Sequence, residues 1–239
     1  MDFFVTNELA ILRWLHIIAM VYWLGGEWGV FQTSYNVVNP RLSIEERKRH
    51  METAYRIDIL ARTGIILLLP LGLHMGYLWG VQPFGGAALW AMWIALVAWL
   101  ALCWAAFFAR ETDRGIRLTR IDEGIRFVVI PLLLIAGFST IAGIELVTVD
   151  GERRTIFSSE PGQLWYAAKV TLYGVMLILG LGLRFIMRGW TVQFRKLAHG
   201  PDPAAEAALD RGIRQGRMIA YFYWIGIATV AFFGAVKPF

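Results

Sequence analysis

The chain has 239 residues, 57% of them hydrophobic and only 17% charged, with a mean hydropathy of +0.53. Those values belong to integral membrane proteins and exclude an ordinary soluble domain, because no stretch of normal polarity is long enough to form one. The net charge of +5 follows from topology rather than from nucleic-acid binding, and the lone Cys103 excludes both a disulfide framework and a thiolate metal cluster.

Apolar runs of about 20 residues, the length a helix needs to cross ~30 Å of hydrocarbon, occur six times. They lie at Leu9–Phe31, Ile57–Val81, Ala87–Ala109, Gly124–Val147, Leu164–Met187 and Met218–Val236. The start Met1-Asp2-Phe3-Phe4 lacks a basic leader, so the first run reads as a retained helix rather than a signal peptide. No segment alternates at period two, which disfavours a β-barrel. The expected fold class is therefore an all-α integral membrane protein, a six-helix transmembrane bundle forming one domain over residues 1–239.

Basic residues set the orientation. Arg41, Arg47, Lys48, Arg49, Arg56 and Arg62 surround the first connection, Arg110, Arg114, Arg117, Arg120 and Arg126 the third. Arg184, Arg188, Arg195, Lys196, Arg211, Arg214 and Arg217 surround the fifth. This asymmetry makes that side cytoplasmic, in a multi-pass protein of the cytoplasmic (inner) membrane. Both termini, the turn at Gln82-Pro83-Phe84 and the loop Asp150–Gly162 then face outward. The long inner segment Trp190–Arg217 holds Asp202-Pro203, an N-cap followed by a first-turn proline, and predicts a short surface helix. Trp79, Trp90, Trp93, Trp165 and Tyr166 fall near the outer span ends, as an interfacial aromatic belt would.

Ionisable residues inside the spans mark candidate sites, since they are costly there. At 1.5 Å per residue, His16 and His74 both lie roughly 10 Å inside the outer boundary. Lys169 sits within about two turns of the same end. Glu145 is just inside the end of the fourth span, and Arg13 is one turn before His16 on its helical face. Two histidines at matching depth on adjacent antiparallel helices suit one b-type haem, with His16 and His74 as its iron ligands. Its propionates need counter-charges, for which Arg13 and Lys169 are the candidates. Gly72, Gly76, Gly25 and Gly26 would leave room for the flat macrocycle, and Pro70 would help aim His74. Blander readings stand beside these. Lys169 could snorkel to the interface, Met20 could be core filler, and Glu27 could pair with Arg62 to join the first two helices. His50 and His199 lie in charged segments and read as solvated.

The residues Leu15-His16-Ile17-Ile18-Ala19-Met20-Val21-Tyr22-Trp23-Leu24-Gly25-Gly26 resemble the leading helix of the HemJ-type protoporphyrinogen oxidase and CopD-like membrane superfamily. Gln163-Leu164-Trp165-Tyr166-Ala167-Ala168-Lys169-Val170 is similar to a later helix of that family, and Lys237-Pro238-Phe239 to its ending. The resemblance implies haem binding at His16 and a catalytic or binding role for Lys169, and leaves His74 without a counterpart. It covers a four-helix core, residues 8–82 and 163–239, with the hairpin 83–150 as an insertion. Three functions stay open beside a purely structural membrane subunit. The first is a b-type haem protein passing electrons to a quinone or a redox partner protein. The others are a HemJ-like oxidase acting on a porphyrinogen through Lys169, and a CopD-like copper-handling protein using His74, Met75, Met20 and Met92. Membrane lipids are partners in every case, and homo- or hetero-oligomers are open.

Overall fold

The computed structural model describes residues 2–110, 112–149 and 151–239, and of Asp2 the backbone only. Helix accounts for 80% of the chain. A short α1 (Asp2–Thr6) leads into α2 (Glu8–Val37), followed by α3 (Ile44–Leu78), α4 (Gly86–Phe108) and α5 (Asp113–Ile141). A two-stranded antiparallel hairpin, β1 (Val147–Val149) and β2 (Glu152–Arg154), precedes α6 (Leu164–Leu197) and α7 (Pro203–Val236). The six helices from α2 to α7, with α1 aside, are each long and apolar enough to cross a membrane, which is the architecture of a multi-pass membrane protein. Each expected span matches one helix, with the second stopping at Leu78 instead of Val81, the third at Phe108 instead of Ala109 and the fourth at Ile141 instead of Val147. The small hairpin that follows was not expected, and the loop expected from Asp150 begins outside the described residues.

The helices of this bundle overrun their apolar spans. At 1.5 Å per residue, the 35 residues of α3 and the 34 each of α6 and α7 make rods of roughly 50 Å. The surplus projects beyond the end rich in arginine. Much of what reads as basic loop is thus helix. Ser43 starts α3 with a capping box: its Oγ accepts from the Glu46 amide at 3.2 Å while Glu46 Oε2 accepts from the Ser43 amide at 2.9 Å. Asp202 caps α7 as expected, accepting from Ala204 and Ala205 at 2.9 and 3.0 Å with Pro203 at the first turn. The helix it starts is not a short surface one, however, but runs unbroken to Val236. Nothing between Pro203 and the apolar run breaks a helix, so the cap governs the whole length.

The projecting ends form their own small core of Val37, Met51, Trp190, Phe194, Leu209 and Ile213. Arg47 fastens it. Its guanidinium is buried at 3% exposure, donates to the Val37 carbonyl at 2.8 Å and grips both carboxylate oxygens of Glu206 at 2.7 Å. One side chain therefore ties the end of α2 to α3 and α7. In the apolar spans α2 and α3 pack closely, and a Cβ at Gly26 would lie 2.7 Å from the Ala61 Cβ. Gly25 faces open space, so neither glycine makes room for a cofactor. The helix α3 continues through Pro70, which is fully buried.

Candidate functional site

Four helices, α2, α3, α6 and α7, enclose a cavity at the end of the bundle that carries His16. Its cavity volume is about 270 Å³, just under the roughly 300–1,000 Å³ of typical small-molecule sites. Its walls come from regular helical stripes: Arg13, His16, Met20 and Trp23 on α2, and Leu69, Gly72 and Met75 on α3 with Trp79 capping its end. Trp165, Tyr166, Lys169 and Tyr173 follow on α6, and Ile227, Val230 and Gly234 on α7. Steps of three and four residues keep one face of each helix on the cavity.

His16 points into this space. Its Nδ1 is buried and has no hydrogen-bond partner among the described residues, a state that costs about 1–3 kcal/mol unless something else meets it. Its Cε1 lies 3.3 Å from where a Cβ of Gly72 would stand, so the absent side chain gives the imidazole its room. Lys169 enters from α6, and a Cβ on Gly234 would fall 2.5 Å from its Nζ. Arg13 lines the same cavity from a more exposed position. Over the top, Lys237 takes a left-handed backbone (φ 52) and sets its Nζ 4.3 Å from the Trp79 ring centre and 5.1 Å from that of Trp165. The Phe239 carbonyl accepts from the Trp165 amide at 3.0 Å, which folds the Lys-Pro-Phe ending across the cavity's aromatic wall.

His74 does not join them. Trp93 Nε1 donates to its Nδ1 at 3.3 Å, and its Nε2 faces Glu8 Oε1 at 3.2 Å. Both ring nitrogens are engaged on the side of α3 away from the cavity. The reason is azimuthal: counting residues fixes depth along a helix, but His74 is two steps of 100° from Gly72, which puts it near the opposite face. Glu145 is likewise outside the group, exposed beyond the end of α5, where its carbonyl accepts from Arg153 at 2.8 Å. The aromatic belt is partly interior too, with Trp165 and Tyr166 at 3% exposure against the cavity. The Tyr166 hydroxyl sits against Gly76 and donates to the Gly72 carbonyl at 3.2 Å. Tyr166, Lys169 and Tyr173 share one stripe of α6, a spacing visible in the sequence that marks them as wall rather than lipid contacts. Of the copper candidates, Met20 and Met75 line the cavity with His16 and Met92 does not.

A second polar layer, at the arginine end, joins helices that the expected Glu27–Arg62 pair did not include. Arg62 pairs with Asp58 on its own helix instead. Asp122, fully buried on α5, accepts from Trp99 Nε1 at 2.7 Å, Cys103 Sγ at 3.0 Å and Arg184 of α6, with Arg126 Nε 3.5 Å away. The adjacent Glu123 pairs with Arg188 and stands 3.6 Å from Arg184. Trp23 Nε1 donates to Tyr223 Oη at 3.0 Å between the two layers. Comparison with family models, curated protein sequences and solved structures finds no match for this chain.

Proposed function

We propose that the chain is a membrane redox protein whose outer-half cavity would hold a single b-type haem, with His16 as an iron ligand. The observation that carries this reading is the orphaned Nδ1 of His16 inside a cavity flanked by Arg13 and Lys169. The residues present fit such a group in four respects. An unpartnered imidazole aims inward, two cations stand ready for propionates, aromatic and aliphatic side chains wall the space, and Gly72 and Gly234 leave room for the His16 ring and the Lys169 ammonium. They fit one histidine ligand and not two, because His74 is engaged elsewhere. A bound haem supplies one-electron chemistry at a potential set by its ligands and burial. The protein's share is to offer His16 Nδ1, to neutralise carboxylates with Arg13 and Lys169, and to exclude water with Trp79, Trp165 and Tyr166. The basic ends of the helices orient the bundle with both termini outside and the arginine end in the cytoplasm of an inner membrane. Electron exchange with a quinone or a partner protein completes the reading.

One geometric fact favours a second reading, HemJ-like oxidation of a porphyrinogen. Only one histidine lines the cavity, and Lys169 lines it too, where it could pair with a substrate carboxylate. The test is a reduced-minus-oxidised spectrum of the purified protein, expressed with adequate iron and haem precursor. Haem is expected in the wild type, lost or at least tenfold weaker in His16→Ala, and retained with an unchanged spectrum in His74→Ala. A haem-free wild type sinks both readings, and a His74→Ala variant stripped of haem overturns the single-histidine assignment. Complementation of a strain lacking protoporphyrinogen oxidase separates enzyme from electron carrier, and metal analysis of the same sample reads out copper.

A further inference from the structure

A second cavity lies in the arginine half of the bundle, beyond the Trp23–Tyr223 pair and roughly 16 Å along α2 from His16. Arg62, Arg126, Arg184 and Arg217 line it, against two carboxylates, Glu27 and Asp58. The pairings already described leave N–H groups on this wall unmatched. Asp58 is taken by Arg62, Asp122 and Glu123, behind the wall, take Arg184, and Arg126 reaches Asp122 only at 3.5 Å from its Nε. Arg126 is 4% exposed, and its Nε and Nη2 have no hydrogen-bond partner among the described residues. Arg217 donates its Nε to Ser34 Oγ at 3.1 Å, but its Nη2 is unmatched. Trp190, also 4% exposed, leaves its Nε1–H unmatched.

Every orphaned buried side-chain atom on this wall, among the described residues, is therefore an N–H donor, and three of the four belong to guanidinium groups. Leaving such donors unmet costs about 1–3 kcal/mol each, more where they are charged. The ligand that complements them is rich in acceptors and negative. A neutral quinone could accept the hydrogen bonds, but hydrogen bonds from guanidinium groups are about twice as strong to an anion. The rest of the lining is apolar, including Val30, Phe31, Ile65, Ile186 and Ile213. Glu27 stands roughly 28 Å along α2 from Glu8, near the end of a ~30 Å hydrocarbon span, where polar headgroups begin.

We propose that this cavity binds the oxyanion, a phosphate or carboxylate, of an amphipathic molecule, with Arg126, Arg217 and Trp190 on the anion and the apolar wall on its hydrocarbon body. The site is independent of the haem reading, whose spectrum reports only the other cavity.

The experiment uses the full chain, delipidated in a neutral detergent, with binding followed by native mass spectrometry and by the thermal midpoint. The probes are dioleoylphosphatidylglycerol, oleate, inorganic phosphate and dioleoylphosphatidylcholine. Phosphatidylglycerol or oleate is expected to bind at least about tenfold tighter than phosphatidylcholine and to raise the midpoint in proportion to ln(1 + [L]/Kd). Arg126→Gln and Trp190→Phe are expected to weaken that binding about tenfold and severalfold, while Arg195→Gln, on the exposed surface, leaves it unchanged. Trp190→Phe removes only an N–H and keeps the ring, so it carries the test if Arg126→Gln does not fold. Protection by inorganic phosphate as well assigns the site to a free oxyanion, and protection by the amphiphiles alone assigns it to a headgroup. The proposal is overturned if no anionic probe binds tighter than phosphatidylcholine, or if Trp190→Phe binds as the wild type does.

Discussion

Replacing Asp122 with Asn changes no volume and removes one charge, which isolates what the buried carboxylate does for the bundle. Its two oxygens serve Trp99, Cys103 and Arg184, with Arg126 at 3.5 Å, and no part of the residue is exposed. An amide keeps one acceptor and turns a donor toward guanidinium and indole donors. Breaking a buried ion pair by removing one partner costs roughly 3–5 kcal/mol. Glu123 Oε1, 3.6 Å from Arg184, retains part of the compensation, so the lower figure, about 3 kcal/mol, applies. For a chain of this length each kcal/mol moves the midpoint by about 2–4 °C, which gives a drop of about 6–12 °C. The assay is thermal unfolding in detergent at one fixed scan rate, since membrane proteins seldom unfold reversibly under such conditions. In Asp122→Asn/Arg184→Met the lone buried cation is gone too, and the loss should fall short of the sum of the single losses by about 0.5–3 kcal/mol. A midpoint within about 2 °C of wild type, or strictly additive losses, would refute the claim that Asp122 joins α4, α5 and α6 as a buried counter-charge.

Two further outcomes follow from the packing and the ends of the helices. At Gly64 an added Cβ would meet the Ala19 carbonyl and stand 2.7 Å from the Trp23 amide, both backbone. Gly64→Ala should therefore force α2 and α3 apart at a cost of about 1–3 kcal/mol, while Gly25→Ala, with open space around it, should hold or raise the midpoint; equal midpoints would show that the two helices do not pack this closely. At the projecting end, the hydrogen bonds from Arg47 hold the Glu206 carboxyl below its ordinary pKa. A carboxylate lowered in this way stabilises above its unfolded value, about pH 4.3, and that contribution fades as the pH falls through the folded value. Glu206→Gln should cost about 1–2 kcal/mol at neutral pH, discounted because Glu206 is half-exposed. The gap from wild type should close below pH 4, and a gap that persists there contradicts the linkage.

How much of this was legible in the sequence differs between length and azimuth. Six apolar runs fixed the number of helices because hydrophobic length is a one-dimensional property, and Asp202-Pro203 marked the start of α7 because capping is local. The helix ends at the arginine side were not legible. A basic, polar stretch reads as loop unless something packs on it, and the partners that Arg47, Met51 and Trp190 find there are distant in sequence. The site divides in the same way. Depth counting put His16, His74 and Lys169 at one level, and the structure brings His16 and Lys169 together in one cavity. It turns His74 away, because a two-residue offset on α3 is invisible to a count of rise and decisive for direction.

The signal that would have separated them lies in α2 itself. Arg13, His16, Met20, Trp23, Glu27, Val30 and Ser34 recur at steps of three and four, and all of them face one cavity or the other. A polar residue on such a stripe faces the interior, where it must find a partner or a ligand, and one off the stripe can be met by a neighbouring helix, as His74 is by Trp93. Taken along its length, this face presents an imidazole at one end and a carboxylate at the other, with Trp23 between them bonded to Tyr223. The first half opens on a space whose orphaned atom is a histidine nitrogen, the second on one whose orphaned atoms are N–H donors. One helix face thus runs from the cavity proposed to hold haem to the cavity proposed to bind an anion. The Trp23–Tyr223 pair stands between the two layers. Whatever chemistry occurs at His16 is held apart from the arginine cluster by those two rings, so each cavity can be perturbed and assayed without emptying the other.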